Sequence, residues 1–131
     1  MNLLLDTHSL LWYGLNDPKL SVVARRLILD PQNIVLLSPV SFWEIAIKVS
    51  IGKLALHHPF EEFIDLCLVQ NGFKILPIEP RHTARVITLG FPSNHKDPFD
   101  RLLVSQAIVE QVPIVSDDPH LDAYPIQRLW K

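Results

Sequence analysis

Four acids in this chain stand where carboxylates could do chemistry together: Asp6, Glu44, Asp100 and Asp118. Asp6 ends the apolar run Leu3-Leu4-Leu5. Asp118 follows Ile114-Val115-Ser116-Asp117. Each therefore lies just past a segment that reads as a buried strand. Asp100 opens the helical pattern that leads into the second of those strands, and Glu44 lies on another helix. Several carboxylates at one sheet edge cannot all stay ionised without a cation. Hard oxygen donors suit Mg²⁺ or Mn²⁺ and not zinc. An ion of that kind at a carboxylate cluster serves phosphate chemistry, by activating water and by neutralising charge on the transferring group. No serine or cysteine stands with a matched base, so water is the expected nucleophile.

Each acid also has a structural reading as a helix cap. Ser41-Phe42-Trp43-Glu44 has the form of a capping box, and Asp97-Pro98-Phe99-Asp100 has the same form with Asp97 as the cap. Asp118-Pro119 sets an acid before a proline at the first helical position, and Asp6 can cap the segment 7–15. Taken singly, capping outweighs catalysis at all four. The joint placement shifts the balance. The helix expected over 41–51 is apolar nearly all round and should lie in the core, yet Ser41, Glu44 and Lys48 make a narrow polar stripe on it. A carboxylate on a mostly buried helix is costly unless something pairs with it, so the stripe reads either as a Glu44–Lys48 ion pair on an exposed edge or, more favoured, as the lining of a wet pocket.

The elements that must position these acids alternate. Strands are expected at 2–5, 34–37, 74–78 and 113–116, with an edge strand at 126–130. Helices are expected at 22–29 behind the cap Ser21, and at 41–51, 59–71, 80–89 and 98–111. Strands spaced by helices give an α/β fold, a parallel sheet of four to five strands covered on both faces. Ligands bind such sheets beyond the carboxyl ends of the strands, where Asp6 and Asp118 stand.

With 131 residues, the chain fits one domain, 1–131, and holds a core without staples. Its single Cys67 forms no internal bridge, so a reducing, cytoplasmic setting is expected. No apolar run reaches the ~20 residues of a membrane span, and the start lacks the basic region of a signal peptide. The net charge of −2 gives no support for bulk attraction to nucleic acid. Any such contact must come from a local patch or from a cation that reverses the local sign.

Four segments carry a resemblance. They are Leu3-Leu4-Leu5-Asp6-Thr7-His8-Ser9-Leu10-Leu11-Trp12; Ser41-Phe42-Trp43-Glu44-Ile45-Ala46-Ile47-Lys48 with Gly52-Lys53-Leu54; His95-Lys96-Asp97-Pro98-Phe99-Asp100-Arg101-Leu102-Leu103; and Ile114-Val115-Ser116-Asp117-Asp118. In this order and spacing the chain resembles the PIN-domain ribonucleases, in particular the VapC toxins of toxin–antitoxin pairs. The resemblance implies a three-layer PIN-like fold and Mg²⁺- or Mn²⁺-dependent endonuclease action on RNA. It implies a cognate antitoxin that blocks the site, and a homodimer. Carried over by position, Asp6, Glu44, Asp100 and Asp118 are the four acids, and Ser116 orients the scissile phosphate or a water on the metal. The chain departs from the simplest pattern in its doublets. Asp97 stands one turn from Asp100 and can reach the metal or merely cap its helix. Asp117 adjoins Asp118.

Among the other residues, Lys48, Arg101 and Lys96 are candidates for phosphate contacts, with solvated surface charge as the competing reading for Lys96. His8 and His95 flank the motifs without metal-ligand spacing, so roles supporting the site or on the surface are expected. Trp12, Trp43 and Cys67 read as core, and apolar surface on the early helices as a dimer or antitoxin contact. Two further classes compete with the nuclease. One is a phosphatase or phospho-acceptor domain using Asp6 as nucleophile, disfavoured by His8 where a second acid is needed. The other is a binding module that kept the fold without nuclease activity, disfavoured by the complete acid set.

Overall fold

The computed structural model describes residues 1–131. Strand β1 (Asn2–Leu5) leads into α1 (Thr7–Gly14) and α2 (Val22–Leu29). Then come β2 (Ile34–Leu37), α3 (Pro39–Ser50) and α4 (Phe60–Asp65), which runs into a π-helical turn (Leu66–Gln70). The chain continues through β3 (Lys74–Ile75), α5 (Pro80–Val86), α6 (Pro98–Glu110), β4 (Ile114–Val115) and β5 (Arg128–Leu129). Two 3-10 turns, Pro92–Asn94 and Pro119–Ala123, flank α6 and β4. The sheet has five parallel strands in the order β3-β2-β1-β4-β5, as the alternation of strand and helix predicts.

Strand β1 is central because its leucines face two cores. Leu3 and Leu5 pack with Leu10, Ala24, Ile28, Ile45 and Phe63 from the helices before β3. Leu4 points the other way, into Val40, Leu103, Val104, Ala107 and Tyr124. All three are fully buried, each worth about 1.5–3 kcal/mol over exposure. The register pairs Leu4 with Ile114 and Leu5 with Val115. Asp6 and Ser116 are the next residue on each strand, so they emerge side by side at the carboxyl edge.

Several boundaries differ from the sequence reading. Helix α3 begins at Pro39 with Ser38 as its cap, Ser38 Oγ accepting from the Val40 N–H at 3.2 Å. Ser38-Pro39 combines a capping hydroxyl with a proline at the first helical position. Ser41 therefore lies inside the first turn, and no Ser41–Glu44 capping box forms. The helix expected over 59–71 breaks into α4 and the π-turn, where the Leu66 carbonyl accepts from both the Asn71 N–H and Asn71 Nδ2. Strand β3 stops at Ile75. The carbonyls of Leu76 and Pro77 accept instead from Gln106 Nε2 on α6. Trp43, expected in the core, is 62% exposed. Helix α3 buries only the face carrying Val40, Ser41 and Ile45, and Val49 and Ile51 also face outward.

Candidate active site

The site forms where β1, β4 and α6 meet. A helix that returns to a parallel strand starts at the carboxyl edge, so α6 begins beside the ends of β1 and β4. Asp6 caps α1, its Oδ1 accepting from the Ser9 N–H at 2.8 Å. Its backbone N–H donates to the Val115 carbonyl, and Ser9 Oγ donates to the same carbonyl at 2.9 Å. Asp6 is 7% exposed. Burial pushes its carboxyl above the usual range, and hydrogen bonds from Ser116 and Ser9 only partly oppose this.

Ser116 is fully buried between two acids. Its hydroxyl accepts from the Asp118 N–H at 3.0 Å and lies close enough to Asp6 to oppose the rise of that carboxyl. Asp118 caps the turn Pro119–Ala123, its Oδ1 accepting from the His120 N–H at 2.9 Å and lying 2.8 Å from His120 Nδ1. Asp117 faces elsewhere. It is exposed and lines a surface hollow with Arg128, Trp130 and Lys131.

Asp100 lies in the first turn of α6, with Oδ2 3.2 Å from His95 Nε2. Its carboxyl is pushed up to about 6, chiefly by burial and then by the charges of Asp97 and Asp118, against the opposing effect of His95. Ligand atoms of His95, Asp100 and Asp118 lie within 4.8 Å of one another. Asp97 stands outside that set. It is exposed, and its Oδ1 accepts from the N–H groups of Phe99 and Asp100.

Glu44 also stands outside it, one turn along α3 from Ser41. Thr7 Oγ1 donates to Ser41 Oγ at 3.1 Å, pinning α3 to the residue after Asp6. Trp43 packs edge-on against Phe99, the residue before Asp100, with ring centres 5.3 Å apart. Helix α3 is thus fixed beside both acids. Glu44 carries its own counter-ion, Lys48 Nζ at 3.6 Å.

Arg101 departs from its expected role. Its side chain turns inward, 5% exposed, and donates to the carbonyls of Gly90 at 2.6 Å and His95 at 3.4 Å and to Tyr124 Oη at 3.2 Å. The guanidinium also lies 4.3 Å from the Phe91 ring centre. It holds the loop before α6 and is not available to phosphate. His95, His120 and Tyr124 contact or support the acids; the sequence suggests a supporting or surface role for His95 and none for the other two. His120 had a local signal in Asp118-Pro119-His120. Tyr124 had none.

No Lys or Arg lies within ion-pair distance of Asp6, Asp100 or Asp118; the ionic partners of the latter two are His95 and His120. Two raised carboxyls and a third near them, with no lysine or arginine paired to them, form a hard oxygen donor set that fits Mg²⁺ or Mn²⁺. The largest cavity, about 600 Å³, lies elsewhere, between the end of α1 and α4, and contains none of these acids.

The chain matches the PIN domain family over residues 3–127. It is 34% identical over 74 residues to Ribonuclease VapC16 of Mycobacterium tuberculosis. That match takes in 56% of this chain and 52% of the relative, so the chain spans about half the length of the curated relative it matches. Among solved structures it is similar to VapBC2 from Rickettsia felis bound to a promoter DNA fragment, with TM-score 0.74 and 18% identity over 100% of both chains. It is also similar to FitAcB from Neisseria gonorrhoeae, with TM-score 0.62 and 17% identity over 97% of this chain and 96% of that one. At such identities these likenesses concern the fold. The family match covers nearly the whole chain, with the four acid segments inside it: the chain belongs to the PIN-domain family.

Proposed function

We propose that this chain is a metal-dependent endoribonuclease that acts as the toxin of a toxin–antitoxin pair, with RNA as substrate and Mg²⁺ or Mn²⁺ as cofactor. One observation carries the reading: Asp100 and Asp118 come together at the start of α6 and the end of β4, Asp6 emerges beside Ser116 on the neighbouring strand, and no lysine or arginine forms an ion pair with any of the three. The name of the Mycobacterium relative supports the nuclease assignment, and the solved VapBC complexes support an antitoxin partner.

A divalent cation supplies charge neutralisation on the phosphate and an activated water nucleophile. Asp6, Asp100 and Asp118 would hold it by carboxylate oxygens, with Glu44 completing the acid set from α3. The Ser116 hydroxyl orients the scissile phosphate and keeps Asp6 and Asp118 in register. Lys48, half-buried beside Glu44, offers a point charge to a flanking phosphate. Burial of Asp6 excludes bulk water from the back of the site, which strengthens every charge interaction there. Trp43, Val49 and Ile51 on α3 and Val22 and Leu29 on α2 expose apolar area, suited to the antitoxin or to a second copy in a homodimer. A cytoplasmic location accords with this reading.

The test is RNA cleavage by the partner-free chain. Cleavage should require Mg²⁺ or Mn²⁺ and be lost with chelator and with Asp6→Asn. Cleavage that survives both treatments overturns the reading.

A further inference from the structure

We propose that Tyr124 and His95 form a polar relay that aims a fixed Nε2–H of His95 at the Asp100 carboxylate, making both positioning residues and excluding His95 as a cation ligand. The proposal rests on the metal-site reading above.

The direction of each hydrogen bond follows from the partner before it. Arg101 has only donors, so its NH1 donates to Tyr124 Oη at 3.2 Å. Tyr124 is 4% exposed, so its own O–H must find an acceptor or be left buried and unpaired, which is costly. His95 Nδ1 lies 2.6 Å away and supplies the lone pair. A neutral imidazole that accepts at Nδ1 carries its proton on Nε2. That nitrogen faces Asp100 Oδ2 at 3.2 Å, and donates to it. The opposite tautomer would orphan the Tyr124 hydrogen and set a nitrogen lone pair against a carboxylate oxygen.

The ring is also held in place. His120 stacks on His95 with centres 6.2 Å apart and planes within 7°, and Tyr124 meets it edge-on at 5.6 Å. Arg101 fixes the His95 carbonyl from behind. A nitrogen that carries hydrogen cannot coordinate a cation. The proximity of His95 to Asp100 and Asp118 is then that of a donor orienting a ligand, and such outer partners affect affinity strongly.

Tyr124→Phe removes one hydroxyl and keeps the ring. Nitrogen NMR of the wild-type imidazoles should show His95 with its proton on Nε2, and Tyr124→Phe should populate the Nδ1–H form. Calorimetry should show Mn²⁺ binding about tenfold weaker in Tyr124→Phe. His95→Gln, which keeps a donor toward Asp100, should bind Mn²⁺ more tightly than His95→Leu. Pulsed EPR of bound Mn²⁺ should show no directly coordinated nitrogen. A wild-type proton on Nδ1, an unchanged Mn²⁺ affinity in a folded Tyr124→Phe chain, or a coordinated imidazole nitrogen overturns the relay. If Tyr124→Phe does not fold, the wild-type tautomer and the two His95 variants decide. A chain with the expected tautomer and Mn²⁺ response that cuts no RNA keeps the relay and loses the nuclease reading.

Discussion

Two clusters in this molecule place a histidine and two acids within 4.8 Å of one another: His95, Asp100 and Asp118 at the sheet edge, and Glu79, His82 and Glu110 between α5 and α6. Only the first is open to a cation. In the second, His82 is fully buried, its Nδ1 accepts from the Glu79 N–H at 2.9 Å, and its Nε2 lies 2.9 Å from Glu110 Oε2. Arg81 then bridges the two acids, 3.1 Å from Glu79 and 2.6 Å from Glu110. Every charge there has a partner, and the cluster joins α5 to α6. At the sheet edge Arg101 turns away into backbone carbonyls, and Arg128 is paired with Asp122. Proximity of donor atoms does not separate a staple from a metal site; the presence or absence of a built-in cation does.

The largest effect expected from this contrast is on cleavage. Asp100→Asn should lower the rate by about 10²–10³-fold, the usual loss when a charge-stabilising group is removed, whereas Glu110→Gln should leave it unchanged. Equal losses in the two variants, read in an RNA cleavage assay, would erase the contrast. Stability should respond in the opposite sense. Glu110→Ala leaves the His82 Nε2–H buried and unpaired, costing about 1–3 kcal/mol in urea unfolding. Asp100→Asn should not destabilise the metal-free chain, because it relieves repulsion from Asp97 and Asp118.

The next effect is on pH. The Asp100 carboxyl is raised from 3.8 to about 6. Between those values the folded chain holds a proton that the unfolded chain has lost. The stability it contributes without metal is therefore full below about pH 4 and lost as pH rises through about 6. Cation binding needs the ionised form, so Mn²⁺ affinity should climb through the same window and level off above it. Calorimetry across that range checks both directions, and a flat profile would remove Asp100 from the ligand set. The smallest effect belongs to the doublet. Asp117→Asn should change stability by no more than about 0.5 kcal/mol and leave cleavage intact, unlike Asp118→Asn.

What the sequence makes legible follows from range. Leu3-Leu4-Leu5 before Asp6 reads as a buried strand because three consecutive apolar residues need both faces covered, and Ser21 and Asp97 announce their helices locally. The sequence pattern misplaces the start of α3 at Ser41, because the capping-box form of Ser41…Glu44 is a local signal, whereas Ser38-Pro39 follows directly on the end of β2 at Leu37 and starts the helix earlier. The exposure of Trp43 could not be read, because a helix apolar all round does not say which face meets the sheet. Arg101 adjoins Asp100 in sequence, yet its side chain leaves the site for the loop before α6. The contact of His95 with Tyr124 spans 29 residues and depends on how the turn after Asp118 folds back, which no local pattern encodes.

The most direct test of the central claim is a crystal of the chain grown with Mn²⁺ and measured for anomalous scattering. The account predicts a peak held by carboxylate oxygens of Asp100 and Asp118, with Asp6 on its β1 side, and none between Glu79 and Glu110. A peak in the His82 cluster alone, or none at either place at saturating Mn²⁺, would contradict it.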